Sequence, residues 1–523
     1  MARAESIRRG GARGLVAAAG ALAVGAAGMA GARSLPAARP SPAPRVASPF
    51  PGGTVTLVGH GWGHGRGMGQ WGALGYALQG QTYQQILAHF YGGTIPGRAA
   101  DNPIRVVITE NDGNDTVVTS GSAFHVASYT FAAGQAARLH LLASGSFQLS
   151  GGASCTATTW KPLATLASGE AVAVPAEGGP DATGSQVLQL CQQGGNLAYR
   201  GDIEAASYQG SPRTVNVVPL ESYLRGVVAA ESPALWGTLG ATGPEGQPAG
   251  FQELEAQAVA ARSYALSGLG QYGYADICDT TACQVYLGLA GEHPTTDAAV
   301  AGTAGQVLFL SSGQVARTEY SSSTGGYTAG GDFPAVPDTG DSVCVAGACN
   351  PNHDWTDQVP VSTIQADWPQ LGTLLAVEVT ARNGLGDLGG RVEQLTLVGG
   401  AGQVELTGAS FADTLGLRSD WFAVEGTGPG SLPARLVGYR VADEAGNVFG
   451  FGAATSHGSL VGKALNAPLV GVAGTPDGGG YWLVASDGGV FSFGDASFHG
   501  STGDIRLNHP IVGMAPTPDG GGY

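Results

Sequence analysis

Glu231 is the residue whose setting most suggests chemistry. It stands in RGVVAAESP, at the end of a helix-like run that the following Ser-Pro pair stops from winding further. A carboxyl there meets the negative end of the helix dipole and follows Val, Val, Ala, Ala. Both effects disfavour its charged form and raise its pKa, which suits a general acid working near neutral pH. An ordinary solvated glutamate at a helix end carries the same pattern.

A second cluster lies in GHGWGHGRGMGQWGALGYALQG, residues 59–80, with His60, Trp62, His64 and Trp71. Two histidines four apart on a helix would aim at one metal, but here every second residue is Gly and the acidic partner is missing. A groove wall is the better reading, with imidazoles as hydrogen-bonding groups and indoles as flat faces for a saccharide. A packed glycine-rich turn with no ligand is the alternative. YSSSTGGYTAG, residues 320–330, offers a tyrosine, serines and a tight turn, but the strained G-x-S-x-G elbow of a serine hydrolase is absent. The six cysteines fall as Cys155/Cys191, Cys278/Cys283 and Cys344/Cys349. In an oxidising compartment three local disulfides are the expectation. The middle pair, in CDTTAC, could instead hold a metal, although its spacing is loose for zinc and no histidine lies inside it.

The elements that must position these groups are mostly short strands. Residues 104–209 read as β-type runs broken by Gly, Ser and Asn, and strand patterns return between 307 and 407. Residues 82–90 have helical spacing at Tyr83, Ile86, Leu87 and Phe90. Two further helices carry the periodicity of the middle of the chain: PLESYLRGVVAA (219–230), and QELEAQAVAARSYALSGL (252–269), with Leu254, Ala258, Ala261 and Ala265 on one face. The expected fold class is α+β: a β-rich domain with a few helices, followed by all-β repeats.

Residues 1–32 have the order of a secretory signal peptide: Arg3, Arg8, Arg9 and Arg13, an Ala/Gly-rich apolar stretch at 15–30, then Ala-Gly-Ala. A membrane anchor is the alternative, but the stretch is short and poor in Leu and Ile. No later segment is apolar enough to span. The mature chain is therefore expected to be secreted, extracellular or wall-associated, behind a Pro/Ala-rich tether at 33–53. A formal charge of −16 argues against nucleic acid as a partner. Glycine, at 88 of 523 residues, lacks a G-X-Y period, which excludes collagen.

Taken together, NVVPLESYLRGVVAAESP, LEAQAVAARSYAL, DICDTTACQVYLG, YSSSTGGYTAG, PNHDWT, NGLGDLGGRV, LGLRSDWF and the glycine-rich segment resemble the SpoIID/LytB family of sporulation stage II protein D and the amidase enhancers. The resemblance spans residues 54–425. It implies a lytic transglycosylase cutting peptidoglycan glycan strands with Glu231 as the single acid/base, because the C6 hydroxyl of the muramic sugar replaces the second carboxylate of ordinary glycosidases. It also implies substrate-binding roles for His60, Trp62, His64, Gln70, Trp71, Gln257, Arg262, Tyr320, Ser321 and Ser323. No cofactor is required, although zinc at Cys278 and Cys283 is a family feature. Ala282 stands where relatives often have histidine, which favours a disulfide there. The other reading is a non-catalytic glycan binder that enhances a cell-wall amidase or hydrolase.

Two matters of organisation follow. The GHGWGHG segment (54–96) usually ends such a domain but here begins it, a permuted arrangement that needs the two ends to be close. A Cys-bearing insert is expected at about 150–200 and a linker at 426–436. Beyond it, NAPLVGVAGTPDGGGY (466–481) recurs as NHPIVGMAPTPDGGGY (508–523), and YRVADEAGNVFGFG (439–452) as YWLVASDGGVFSFG (481–494), each offset by 42. That period fits propeller blades, of which too few are present to close a ring, so residues 437–523 read as a truncated array, marginally stable alone.

Overall fold

The computed structural model describes residue 50, residues 53–425 apart from 168–170, 180–181, 193, 244–245 and 346, and residues 438–523 apart from 453, 455, 476–478 and 518–521. The expected leader, most of the tether and the 426–436 linker lie outside these residues.

Pro103–Val107 and Asp202–Tyr208 turn Ile104, Val106, Ile203 and Ala205 inward, as strands with one buried face must. They belong to a five-stranded sheet in the order Val172–Val174, Asp202–Tyr208, Ser211–Pro219, Pro103–Val107, Ile277–Cys278, antiparallel except for the last pair. A six-stranded antiparallel sheet runs Lys161–Leu166, Phe147–Gly152, Ala136–Leu141, Thr116–Ser120, Leu188–Leu190, Leu197–Tyr199. The strands around Cys155 and Cys191 thus share sheets with their neighbours, and a disulfide joins the two cysteines. Cys344 and Cys349 face each other across a short hairpin and are likewise bonded.

Seven α-helices stand among the described residues: α1 (Gln70–Leu78), α2 (Tyr83–Phe90), α3 (Leu220–Glu231), α4 (Phe251–Ser267), α5 (Pro294–Gly302), α6 (Val361–Asp367) and α7 (Gly408–Leu415). Helix α3 leaves the strand Ser211–Pro219 without a loop, Pro219 closing the strand and capping the helix. Leu224, Val227 and Val228 of α3 and Ala258, Ala261 and Ala265 of α4 share one core with both sheets. Helix α4 departs from the one-sided expectation, being buried on all sides from Phe251 to Ala265. The reason is that α1, α2, α3 and α5 all pack against it. Small residues at Ala256, Ala258, Ala260 and Ala261 let those neighbours approach.

A second core joins α6, α7 and the sheet Leu374–Arg382, Val392–Gly399, Gln403–Thr407 to the strand Thr54–His60. That strand lies between Asp354–Pro360 and Phe422–Glu425, with Gly59 opposite both Trp355 and Phe422. The beginning and end of the 54–425 region are therefore adjacent. The class is α+β, with no closed barrel among the described residues. In the tail, Gly438–Ala442 pairs with Val448–Gly452, and 42 residues on Gly480–Ala485 pairs with Val490–Gly494 and with Leu469–Gly474. The repeat is thus a recurring hairpin. No ring of blades forms among the described residues.

Candidate functional site

Helix α3 ends at Glu231 because Ser232 turns extended and Pro233 follows. The carboxyl enters a cleft of about 500 Å³ lined also by Trp62, His64, Arg66, Gln70, Tyr264, Arg317, Glu319, Tyr320 and Ser321. Glu231 Oε1 accepts a hydrogen bond from the Val285 amide at 2.7 Å. Burial pushes its pKa up, and the Val285 amide and the side chains of Gln70 and Tyr320 only partly offset this. Desolvation therefore does what the sequence assigned jointly to burial and the helix dipole. Tyr320 receives a hydrogen bond from Gln284 Nε2 at 2.8 Å, and burial followed by the Glu231 charge pushes its pKa well up, so it stays a phenol facing the carboxyl.

The opposite wall is the glycine-rich loop. Met68–Gly69 pairs in parallel with Tyr320–Ser321, and Trp62 bridges to Ser323, so the two polar motifs of the sequence form one wall. Glycine is required where backbones meet: a Cβ on Gly67 would fall 2.0 Å from the Glu319 carbonyl oxygen, and one on Gly75 of α1 2.1 Å from that of Gly340. Arg66 bonds Glu319 through Nε at 2.6 Å and a terminal nitrogen at 3.1 Å. Burial works against the Glu319 charge, but the Arg66 contacts hold its pKa below the ordinary carboxylate range. His64 Nδ1 accepts from the Arg66 amide at 3.0 Å, which leaves the ring proton on Nε2. Its edge is open to solvent, yet burial of the rest of the ring and the Arg66 charge keep it neutral. Arg317 lies over the Tyr264 ring at 4.6 Å.

Of the residues expected at a site, Glu231, Trp62, His64, Gln70, Tyr320 and Ser321 come together in this cleft. The others stand elsewhere. His60 lines a separate hollow, with Nδ1 2.7 Å from Asp354 Oδ1 and its ring edge-on to Trp421. Trp71 packs edge-on against Trp236. Arg262 is fully buried and clamps Glu221 through two hydrogen bonds of 2.8 and 2.7 Å. Gln257 is sealed inside α4, with neither polar atom meeting a partner among the described residues. Ser323 is buried behind the wall, donating to Asp341 at 2.8 Å. Arg262 and Ser323 are thus internal ties, and Gln257 is a buried side chain away from the cleft.

Asp341 organises that support. Besides Ser323 it accepts from the Thr324 and Gly325 amides and lies 2.8 Å from His353 Nδ1. Neighbouring Asp338 takes the Thr324 hydroxyl at 2.6 Å, and burial together with the Asp341 charge pushes its pKa well up. A second acid lies on the other side of Glu231: Glu253 in α4, with no exposed surface, accepts from Ser232 Oγ at 2.7 Å. Burial raises it to about 8, so it is uncharged at neutral pH.

Cys278 and Cys283 are joined in a disulfide. Their sulfurs are tied to each other, and no group of three or more His, Cys, Asp or Glu able to hold a metal occurs among the described residues. This donor set does not fit a zinc site, which needs three or four ligands. Among the described residues no helix is long and apolar enough to cross a membrane.

Comparison with known proteins matches residues 208–310 to the family model of the stage II sporulation protein SpoIID. The amidase enhancer of Bacillus subtilis (strain 168) is 38% identical over 105 residues, 20% of this chain and 12% of that protein. The chain thus matches about an eighth of that relative's length. The family-matched segment holds α3, Glu231, α4 and the middle disulfide, and over it the chain is similar to SpoIID and to the amidase enhancer.

Proposed function

We propose that this is an exported peptidoglycan-remodelling protein that cuts glycan strands as a lytic transglycosylase. The observation that carries the reading is Glu231: a desolvated carboxyl of raised pKa in an open polar cleft, whose other carboxylate, Glu319, has both oxygens engaged by Arg66. One free acid is what such a reaction needs. Glu231 protonates the leaving glycosidic oxygen as the C1–O bond breaks, then takes the proton of the C6 hydroxyl as that oxygen closes on C1. The products are a new 4-hydroxyl end and a 1,6-anhydro end; no water is consumed and the proton on Glu231 is restored. Export is supported by three disulfides and the leader-like N-terminus.

The printed name of the relative favours a second reading, a glycan-binding enhancer of a cell-wall amidase. Digestion of purified glycan strands followed by mass spectrometry separates the two. Ends lighter by one water support the transglycosylase, hydrated ends a lysozyme-like hydrolase, and binding without products the enhancer.

A further inference from the structure

Gln284 follows the Cys278–Cys283 disulfide directly and has no exposed surface. Its amide touches three elements. The Tyr223 hydroxyl of α3 donates to Oε1 at 3.1 Å, while Nε2 donates to the Ala261 carbonyl of α4 at 3.3 Å and to the Tyr320 hydroxyl oxygen on the cleft wall at 2.8 Å. A carbonyl only accepts, so the nitrogen must face Ala261 and Tyr320, and the oxygen must face Tyr223. Tyr320 thus receives a proton from the amide and keeps its own for the Glu231 carboxyl. Buried Gln257, by contrast, has neither polar atom partnered among the described residues.

The residue after Gln284 is Val285, whose amide bonds Glu231 Oε1 at 2.7 Å. Beyond it the Tyr286 hydroxyl donates to Asn216 of the strand Ser211–Pro219 at 2.8 Å, and the Leu287 amide donates to the Gly226 carbonyl of α3 at 3.3 Å. The segment is therefore held to α3 on both sides of Val285, by Gln284 on Tyr223 and by Leu287 on Gly226. An amide N–H only donates, so Oε1 remains an acceptor whether or not Glu231 is protonated. The proton is left to Oε2. Burial raises the Glu231 pKa, and the Val285 amide and Tyr320 both work against that rise by favouring the charged form.

We infer that Gln284 is the positioning residue of the acid: by joining α3, α4 and the cleft wall it holds the Val285 amide on Glu231 Oε1 and leaves Oε2 to give and take the proton. The inference rests on the proposed function in taking Glu231 as the acid. Gln284 is sealed from the cleft and touches no substrate, so it acts through Glu231 alone.

The test follows the Glu231 carboxyl itself, by carbon-13 NMR of the full chain labelled at the glutamate side-chain carboxyl, with Glu231→Gln identifying the signal. Gln284→Met keeps length and removes all three hydrogen bonds. It should move the titration midpoint of Glu231 up by on the order of one pH unit, as expected when hydrogen bonds to the charged form are lost. Tyr223→Phe, which removes one hydroxyl and carries the test if Gln284→Met does not fold, should move it the same way by less. Val118→Ala, a cavity in the same core away from the acid, should lower stability and leave the midpoint in place. Cutting by Gln284→Met should slow on the order of tenfold with KM unchanged, because a buried residue displaces the acid and not the substrate. A midpoint that stays or falls in both Gln284→Met and Tyr223→Phe overturns the inference, as does an equal rise in Val118→Ala. The midpoint is read without substrate, so hydrated ends or no products from the wild-type chain would overturn the proposed reaction and leave this reading of Gln284 standing or falling on the titration.

Discussion

The two sides of the Glu231 cleft are built on different principles. One side is two helices, α3 and α4, buried by small and apolar side chains. The other relies on close backbone contact: backbone meets backbone at Gly67 and Gly75, and buried Asp338, Asp341 and Thr324 with half-buried His353 hold the loop in place. The helical side supplies the acid and sets its pKa by desolvation. The loop side supplies orientation, and its tolerance for added atoms is close to nil. An acid can thus be buried on a rigid base while its polar surroundings are hung from a distant part of the chain.

Four changes probe this contrast. The largest effect belongs to the helical side. Glu231→Gln keeps shape and removes the proton, so release of anhydro-ended products should fall at least about a hundredfold while the melting temperature holds. Wild-type activity should decline as pH rises through the folded pKa of Glu231, because the first step needs the protonated form. Retained cutting by Glu231→Gln would remove Glu231 from the reaction.

Glu253 comes next, through stability rather than rate. Its carboxyl is raised from 4.5 to about 8, so between these values the folded chain holds a proton that the unfolded chain has released. Stability should therefore fall as pH rises across that window and level off above it, by about 5 kcal/mol at most. Glu253→Gln should remove this decline. Denaturant titrations at pH 5 and 8.5 measure it, and an unchanged pH slope would show that Glu253 is not the sealed acid described here.

On the loop side, Gly75→Ala should cost about 2–3 kcal/mol through overpacking against Gly340, despite better helix propensity, measured by urea unfolding. The smallest change is His353→Gln. His353 is raised by its bond to Asp341, so its contribution is present below pH 6.5 and lost as pH rises through its folded pKa. The variant should be modestly less stable in acid and little changed in alkali. Both variants flatten a decline of stability with rising pH, so the two sides are told apart by its window: 4.5 to about 8 for Glu253, and above 6.5 for His353.

The same contrast explains what could be read from sequence. The helical side was legible because PLESYLRGVVAAES and QELEAQAVAARSYAL carry their periodicity and their stop signals locally. Even there the place of Gln257 was not legible: burial of α4 on every side depends on α1 and α2, whose residues come from 70–90. The loop side was legible as a glycine-rich groove wall bearing Trp62 and His64, but not in what holds it. The acid missing beside His64 in sequence is Glu319, 253 positions from Arg66, and the reasons for individual glycines are carbonyl oxygens that no pattern marks. Ser323 and Arg262 show the converse limit: a hydroxyl or guanidinium in a polar motif serves equally well as an internal tie, and only placement tells them apart.

The strand Thr54–His60 also bears on timing. It pairs with Phe422–Glu425, and the Ser419 hydroxyl grips the His60 carbonyl across 359 positions. On a chain emerging N-terminus first, the strand that begins the 54–425 region therefore waits for the one that ends it, and contacts of such span close late. Until they close, the glycine-rich loop that follows this strand has no fixed partner opposite Glu231. Assembly of the cleft is coupled to completion of the whole 54–425 region, so a half-emerged chain carries the acid without the wall that would hold a strand against it.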